Sequence, residues 1–287
     1  MKEKILEEKE IVSILKPRGK EGYKGDFGHT FIVAGSFNYV GAPYFAAEAA
    51  VRSGSGLVTL FTRKEILEIM KIKLDEAMVR DIQELKKHLQ KGSAVVFGSG
   101  MEESEETYGA LQDLKDAKIP LVIDADGLNV LKTQERREFF REREGATIIT
   151  PHLGEFSRLT GKKIEDIKKN RVKLAFDFAK KYGITLILKD SETIITDGRE
   201  IYINRTGNAS MSNGGMGDIL AGLAGSFLAQ GYTPLEAGKL ACYFLGKCGE
   251  MSSVENYITN PRDVLQVLPK VMKKTVQKKC FVCYNIE

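Results

Sequence analysis

Six short runs of the chain, residues 30–34, 57–61, 94–97, 121–124, 147–150 and 185–188, are dominated by Val, Ile, Leu, Phe and Thr, with little polar interruption. A strand with one buried face alternates apolar and polar positions, whereas a strand covered on both faces does not. These runs predict a parallel sheet sandwiched between helices. Between them, apolar positions recur at helical spacing, as over 44–53, 64–70 and 171–182. Repeated strand–helix–strand units predict a doubly wound, three-layer α/β fold. Two later runs, 192–196 and 201–204, flank Asp197-Gly198, a pair that tolerates positive φ and so predicts a hairpin. The mostly parallel sheet is therefore expected to carry an antiparallel edge. Beyond it the pattern is helical to about residue 249, and a short helix is expected over 261–274. No linker, composition break or fixed-period repeat divides the sequence, so residues 1–287 read as one domain.

Composition removes several classes. A chain of 287 residues buries about three-quarters of its unfolded surface and needs no disulfide or metal staple. With 43% hydrophobic and 29% charged residues it is neither disordered nor collagen-like. No apolar run reaches the roughly 18 residues of a spanning helix, and the opening MKEKILEEKE lacks the apolar core of a signal peptide. A cytoplasmic protein with no membrane partner is expected. The 43 basic residues face 39 acidic ones, a balance too even for a nucleic-acid footprint. The basic excess over 270–279 reads as a solvated helix end. Cys242 and Cys248 fall in an apolar helical pattern and read as core. Cys280 and Cys283 form a CxxC with no second pair or nearby His, which excludes a zinc set and leaves a redox role open.

Candidate chemistry concentrates where strands end. The stretch Thr206-Gly-Asn-Ala-Ser-Met-Ser-Asn-Gly-Gly-Met-Gly-Asp218 leads into a helix with apolar residues at Ile219, Leu220, Leu223, Phe227 and Leu228, and Gly231 supplies a stop. Gly214, Gly215 and Gly217 thus sit at a helix N-terminus, where unpaired N–H groups and the helix dipole favour an anion and where glycine lets a phosphate approach. A carboxylate at Asp218 suits either a general base for a hydroxyl attacking phosphorus or a ligand to a cation on the phosphates. It also suits a plain helix start. Thr150-Pro-His-Leu-Gly-Glu155 places His152 and Glu155 beyond a strand's carboxyl end, where open α/β sheets bind ligands. Asp124 and Asp126 lie at a second strand end, fit to bind a cation, orient hydroxyls or cap a helix. Phe97-Gly-Ser-Gly-Met101 makes a small turn at a third, and Leu188-Lys189 puts a cation at a fourth.

These residues resemble the ADP-dependent NAD(P)H-hydrate dehydratases of the ribokinase-like superfamily, over residues 24–269. The markers are Lys24-Gly-Asp-Phe-Gly-His29, Val33-Ala-Gly-Ser36, Gly41-Ala42, Arg52-Ser-Gly-Ser-Gly-Leu-Val58, Asp124-Ala-Asp126, Thr150-Pro-His-Leu-Gly-Glu155, Leu188-Lys189, and 206–218. The resemblance implies a metabolite-repair lyase that dehydrates the S-epimer of hydrated NADH or NADPH with ADP, releasing AMP and phosphate. It implies that Ala42, Gly100, His152 and Asp218 contact the hydrate, with Asp218 as catalytic base. Lys189, Asp190, Ser191, Glu192, Thr193 and Gly217 would hold ADP or AMP. Gly214, Gly215 and Gly217 would form the anion hole, with Mg2+ as cofactor and its ligands unassigned. About twenty residues precede the match, so the partner NAD(P)H-hydrate epimerase is expected on a separate chain. A homo-oligomer is also expected. The small-residue face Ala221, Gly222, Ala224 and Gly225 calls for close helix contact, inside the core or between subunits. Three positions depart from the family's pattern: Asp190 stands where Gly is usual, Met216 replaces Thr or Ser, and Ser99 replaces Pro between two glycines. The first is expected to weaken nucleotide binding or alter donor choice. The competing reading is an ATP-dependent ribokinase-like kinase for a small alcohol such as a vitamin precursor.

Overall fold

The computed structural model describes residues 2–19 and 21–284, with side chains as far as residue 279. Ten strands form one sheet: β1 (Glu3–Ile5), β2 (His29–Val33), β3 (Leu57–Thr62), β4 (Met78–Asp81), β5 (Ala94–Phe97), β6 (Leu121–Ile123), β7 (Thr147–Ile149), β8 (Thr185–Leu188), β9 (Thr193–Thr196) and β10 (Ile201–Asn204). Their order is β1-β10-β9-β8-β7-β6-β5-β2-β3-β4, and β9 runs antiparallel to both neighbours while every other pair is parallel. The expected hairpin is present, with Gly198 at φ 78° in its turn. It lies one strand in from the border, because β1 adds outside β10.

Twelve helices are described: α1 (Glu8–Ile14), α2 (Gly41–Arg52), α3 (Leu67–Lys73), α4 (Leu85–His88), α5 (Glu105–Gln112), α6 (Asp126–Asn129), α7 (Phe139–Glu142), α8 (Leu153–Thr160), α9 (Ile164–Tyr182), α10 (Met216–Ala229), α11 (Pro234–Ser252) and α12 (Pro261–Tyr284). They cover both faces. Ile32, Val96, Val122 and Ile187 pack against α2, α10, α11 and α12, while the alternate residues Phe31, Val95, Ile123 and Leu188 pack against α5 to α9. Burial on both sides explains why these strands are apolar without alternation.

The small-residue face of α10 is used inside this core. A Cβ on Gly222 would overlap the Ala46 carbonyl of α2, and one on Gly225 would overlap Val96. That contact uses up the argument for a subunit interface on this face. The last helix is much longer than expected, 24 residues. Val276 packs on the core, Lys278 pairs with Glu8, and Lys279 Nζ donates to the carbonyls of Ser13 and Leu15 at 2.9 Å each. The basic stretch therefore caps and clasps α1. Cys242 and Cys248 are buried free thiols, and burial pushes both well above the ordinary thiol range. Cys280 and Cys283 lie outside the described side chains. No helix among the described residues is long and apolar enough to cross a membrane.

Candidate active site

The carboxyl ends of five adjacent strands turn away along one line, and main-chain bonds tie the turns together. Gly35 N donates to Ser99 O at 2.9 Å, Asp124 N to Phe97 O at 3.0 Å, Thr150 N to Ile123 O at 3.2 Å and Lys189 N to Pro151 O at 2.8 Å. At Gly98, φ is 119° and a Cβ would overlap the Asp124 carbonyl, so this turn needs glycine. Motifs far apart in sequence thus become neighbours at the sheet's rim.

The start of α10 stands above the middle of that line. Gly215, at φ 99°, precedes the helix, and Asp218 lies in its first turn. Lys189 Nζ donates to Asp124 Oδ1 at 2.8 Å, and Thr150 Oγ1 donates to the same oxygen at 2.7 Å. Glu155 Oε2 lies 3.7 Å from Nζ. A Cβ on Gly217 would sit 3.3 Å from Lys189 Nζ and 3.7 Å from Asp124 Oδ2. The lysine, the aspartate and the helix start therefore converge on one small space. Burial opposes the Lys189 charge, but Asp124 and then Glu155 outweigh it and hold its pKa above the ordinary value. Asp218 behaves differently. Burial first, and then the Asp124 charge, push its carboxyl up to about 7, against the pull of Ser99 and Lys189. Ser99 Oγ is buried beside the Asp218 carboxyl and favours its ionised form.

On one side of Asp218, Gly100 and Ala42 come together: a Cβ on Gly100 would lie 3.0 Å from the Ala42 Cβ and 2.6 Å from that of Tyr39. Glu102, at φ 64°, gives its N–H to Asp126 Oδ2 at 2.9 Å, and its own Oε1 accepts from Ser36 and Asn38. Ala125, at φ 47°, lets Asp124 and Asp126 face different partners. His152 is the N-cap of α8. Its Nδ1 accepts from Gly154 N at 2.9 Å and Glu155 N at 3.3 Å, while Glu155 Oε2 accepts from His152 N at 2.8 Å. In this reciprocal cap the half-exposed ring also sets its Nε2 3.5 Å from Glu155 Oε1, and burial holds the ring's pKa below its usual value.

On the other side lies a cavity of about 570 Å³, walled by Lys189, Asp190, Ser191 and Thr193 and floored by Met216 and Gly217. Asn204, Asn208, Met211 and Leu245 complete it. Glu192 turns away from this space toward Arg171 and Arg205. Gly214 faces open space at the helix start. The sequence reading missed Thr150 as the orienter of Asp124, and it missed Glu102 and Arg171 entirely. Thr150 was visible within a motif, whereas Glu102 and Arg171 sit in ordinary charged stretches with no spacing signal. A second cavity, of about 500 Å³, is lined by Arg18, Gln230 and Tyr232 and contains none of these groups.

A mostly parallel sheet, one antiparallel hairpin and a glycine-led helix start beyond the carboxyl edge place the molecule in the ribokinase-like class. The family model Carb_kinase, described as NAD(P)H-hydrate dehydratase, matches residues 30–270, and the chain belongs to that family. It is 33% identical over 257 residues to the bifunctional NAD(P)H-hydrate repair enzyme Nnr of Coxiella burnetii, covering 88% of this chain and 51% of that protein. The chain thus spans about half the length of that curated relative. It is 30% identical over 275 residues to the ADP-dependent (S)-NAD(P)H-hydrate dehydratase of Bacillus subtilis, covering 93% of this chain and 97% of that one. A crystal structure of the Bacillus subtilis ADP/ATP-dependent NAD(P)H-hydrate dehydratase, co-crystallised with ATP/Mg2+, superposes with a TM-score of 0.87 at 28% identity, covering 95% and 98% of the two chains.

Proposed function

We propose that this chain is an ADP-dependent lyase that restores NADH and NADPH from their S-hydrates. The observation that carries the reading is the convergence of Asp218, Asp124 and Lys189 at one glycine-led helix start beside a cavity of about 570 Å³. The hydrate lies along Ala42, Gly100 and the half-exposed ring of His152. ADP occupies the cavity walled by Lys189, Asp190, Ser191 and Thr193 over Gly217.

Asp218 takes the proton from the hydrate's hydroxyl as its oxygen attacks the terminal phosphorus of ADP. The phosphorus–oxygen bond to AMP breaks and AMP leaves with the electron pair. Hydroxide is a poor leaving group and phosphate a good one. The carbon–oxygen bond then breaks with its electron pair leaving on phosphate, the neighbouring ring carbon gives up a proton to water, and the double bond returns. A base with a pKa near 7 is matched to this task. Lys189, kept charged by Asp124 and Glu155, and the amides after Gly214 and Gly215 offset charge on the moving phosphoryl group. Thr150 keeps Asp124, and through it Lys189, in place.

Magnesium fits this donor set as an ion that arrives with the nucleotide. Among the described residues no three His, Cys, Asp or Glu side chains form a ready cage, but magnesium asks for only one or two carboxylates beside phosphate oxygens. Asp124, whose Oδ2 faces the Gly217 turn, is the oxygen donor it would join. When bound, the ion neutralises phosphate charge. The reading also calls for an epimerase as functional partner, to supply the S form.

The test is to incubate hydrated NADH with ADP or ATP and follow NADH absorbance together with AMP and phosphate. Recovery of NADH with stoichiometric AMP and phosphate from ADP is expected. A stable phosphoester made from ATP without NADH would favour the kinase reading, and inactivity with every nucleotide would overturn the assignment.

A further inference from the structure

The turn that walls the nucleotide cavity is fastened from behind by charges that take no part in the chemistry above. Asp190 puts a carboxylate on the wall of a space assigned to a diphosphate, and an unpaired negative charge a few ångströms from phosphate would repel it. Arg171 removes that conflict. Its Nη1 donates to Asp190 Oδ2 at 2.8 Å, and its Nη2 donates to Glu192 Oε2 at 3.1 Å. The remaining oxygens are also held: Ser191 N donates to Asp190 Oδ1 at 2.8 Å, and Arg205 Nε donates to Glu192 Oε1 at 2.7 Å. All four carboxylate oxygens of the turn are therefore engaged, and two arginines balance two acids.

The position of Arg171 is itself unusual. Helix α9 breaks at Asn170, where φ is −133° and ψ is 27°, so the segment beginning at Arg171 takes a new direction. Sharp helix breaks ordinarily trace to Pro or Gly, and neither occurs between Ile164 and Tyr182. The guanidinium at the break is only 19% exposed, although it comes from a helix whose other cations face solvent.

We propose that Arg171 is a positioning residue for the adenine nucleotide: by bridging Asp190 and Glu192 it cancels the turn's negative charge and fixes the cavity wall against which ADP lies. This rests on the assignment of that cavity to ADP. Glu192 then acts through Arg171 and Arg205 rather than by touching the nucleotide.

The experiment combines steady-state kinetics with ADP binding measured by calorimetry on the full chain. In Arg171→Met, the Kd and KM for ADP rise about tenfold, on the scale of one charge-assisted hydrogen-bonded pair. The KM for hydrated NADH and kcat at saturating ADP stay within about twofold. Replacing Asp190 by Asn in the Arg171→Met background restores ADP affinity to within about threefold of wild type, because the stranded charge is gone. Equal losses for both substrates, unchanged ADP affinity in Arg171→Met, or failure of Asp190→Asn to rescue would each overturn the proposal. Wild-type protein that binds no ADP would instead bring down the functional assignment, and this inference with it.

Discussion

Asp218 is a carboxyl whose environment works against its charge, and two consequences follow from the sign of that shift. Its pKa rises from 3.8 in the unfolded chain to about 7 in the fold. As the proposed base it would work only when ionised, so kcat/KM for the hydrate should climb about tenfold per pH unit below 7 and level above it, in a pH–rate profile. Asp218→Asn should lower turnover about a hundredfold or more. Between pH 3.8 and 7 the folded state holds a proton that the unfolded chain has released, so this group's stabilising contribution is complete below 3.8 and lost as pH rises through 7. Thermal denaturation should therefore show Asp218→Asn gaining on wild type as pH goes from 4 to 8; a gap that stayed constant would contradict the burial described. His152 carries a different weight. Removing its cap on α8 with His152→Ala should lower stability by about 1 kcal/mol in chemical denaturation, beyond any change in KM. Such duties show what a sequence reveals of a site. Asp218, Lys189 and His152 were legible because glycines, a strand end or a proline mark them. Glu102 and Arg171 carry no such mark, since their partners lie 19 to 66 positions away along the chain.

The elements read from hydrophobic pattern alone were those buried on both faces. Residues 94–97 and 185–188 coincide with β5 and β8, because an unbroken apolar run in a three-layer protein has few other places to go. The exposed β1 and the only partly covered β4 gave no comparable signal, and they are strands only because β10 and β3 offer them an edge. Helix α9 was anticipated from residue 171 onward, which is where its second segment begins after the break at Asn170. At the joint of α10 with α2, Gly222→Val should cost about 1–3 kcal/mol or more, because the added atoms meet the Ala46 backbone rather than a movable side chain. Denaturant titration measures it, and an unchanged midpoint would mean that the two helices are farther apart than described here.

Across the whole molecule, the two ends of the chain brace each other. Lys279 caps the carbonyls at the end of α1, Lys278 pairs with Glu8, and Lys239 Nζ donates to Glu10 Oε1 at 2.7 Å. A cation at a helix C-terminus contributes roughly 0.3–1 kcal/mol, so Lys279→Met should speed amide exchange in α1 while leaving the central strands as protected as before. This bracing could not be read from the sequence, where 270–279 looked like solvated charge, because its partners lie some 270 positions earlier. The close approach of Gly222 to Ala46 has a larger meaning at this scale. One of these helices carries Ala42 in its first turn and the other carries Asp218, so under the proposed function the seats assigned to the two reactants ride on rods that touch backbone to backbone. A joint without side chains has no rotamers to reshuffle. The gap that the proposed phosphoryl transfer would cross is thereby fixed like the span of a caliper, indifferent to which reactant arrives first.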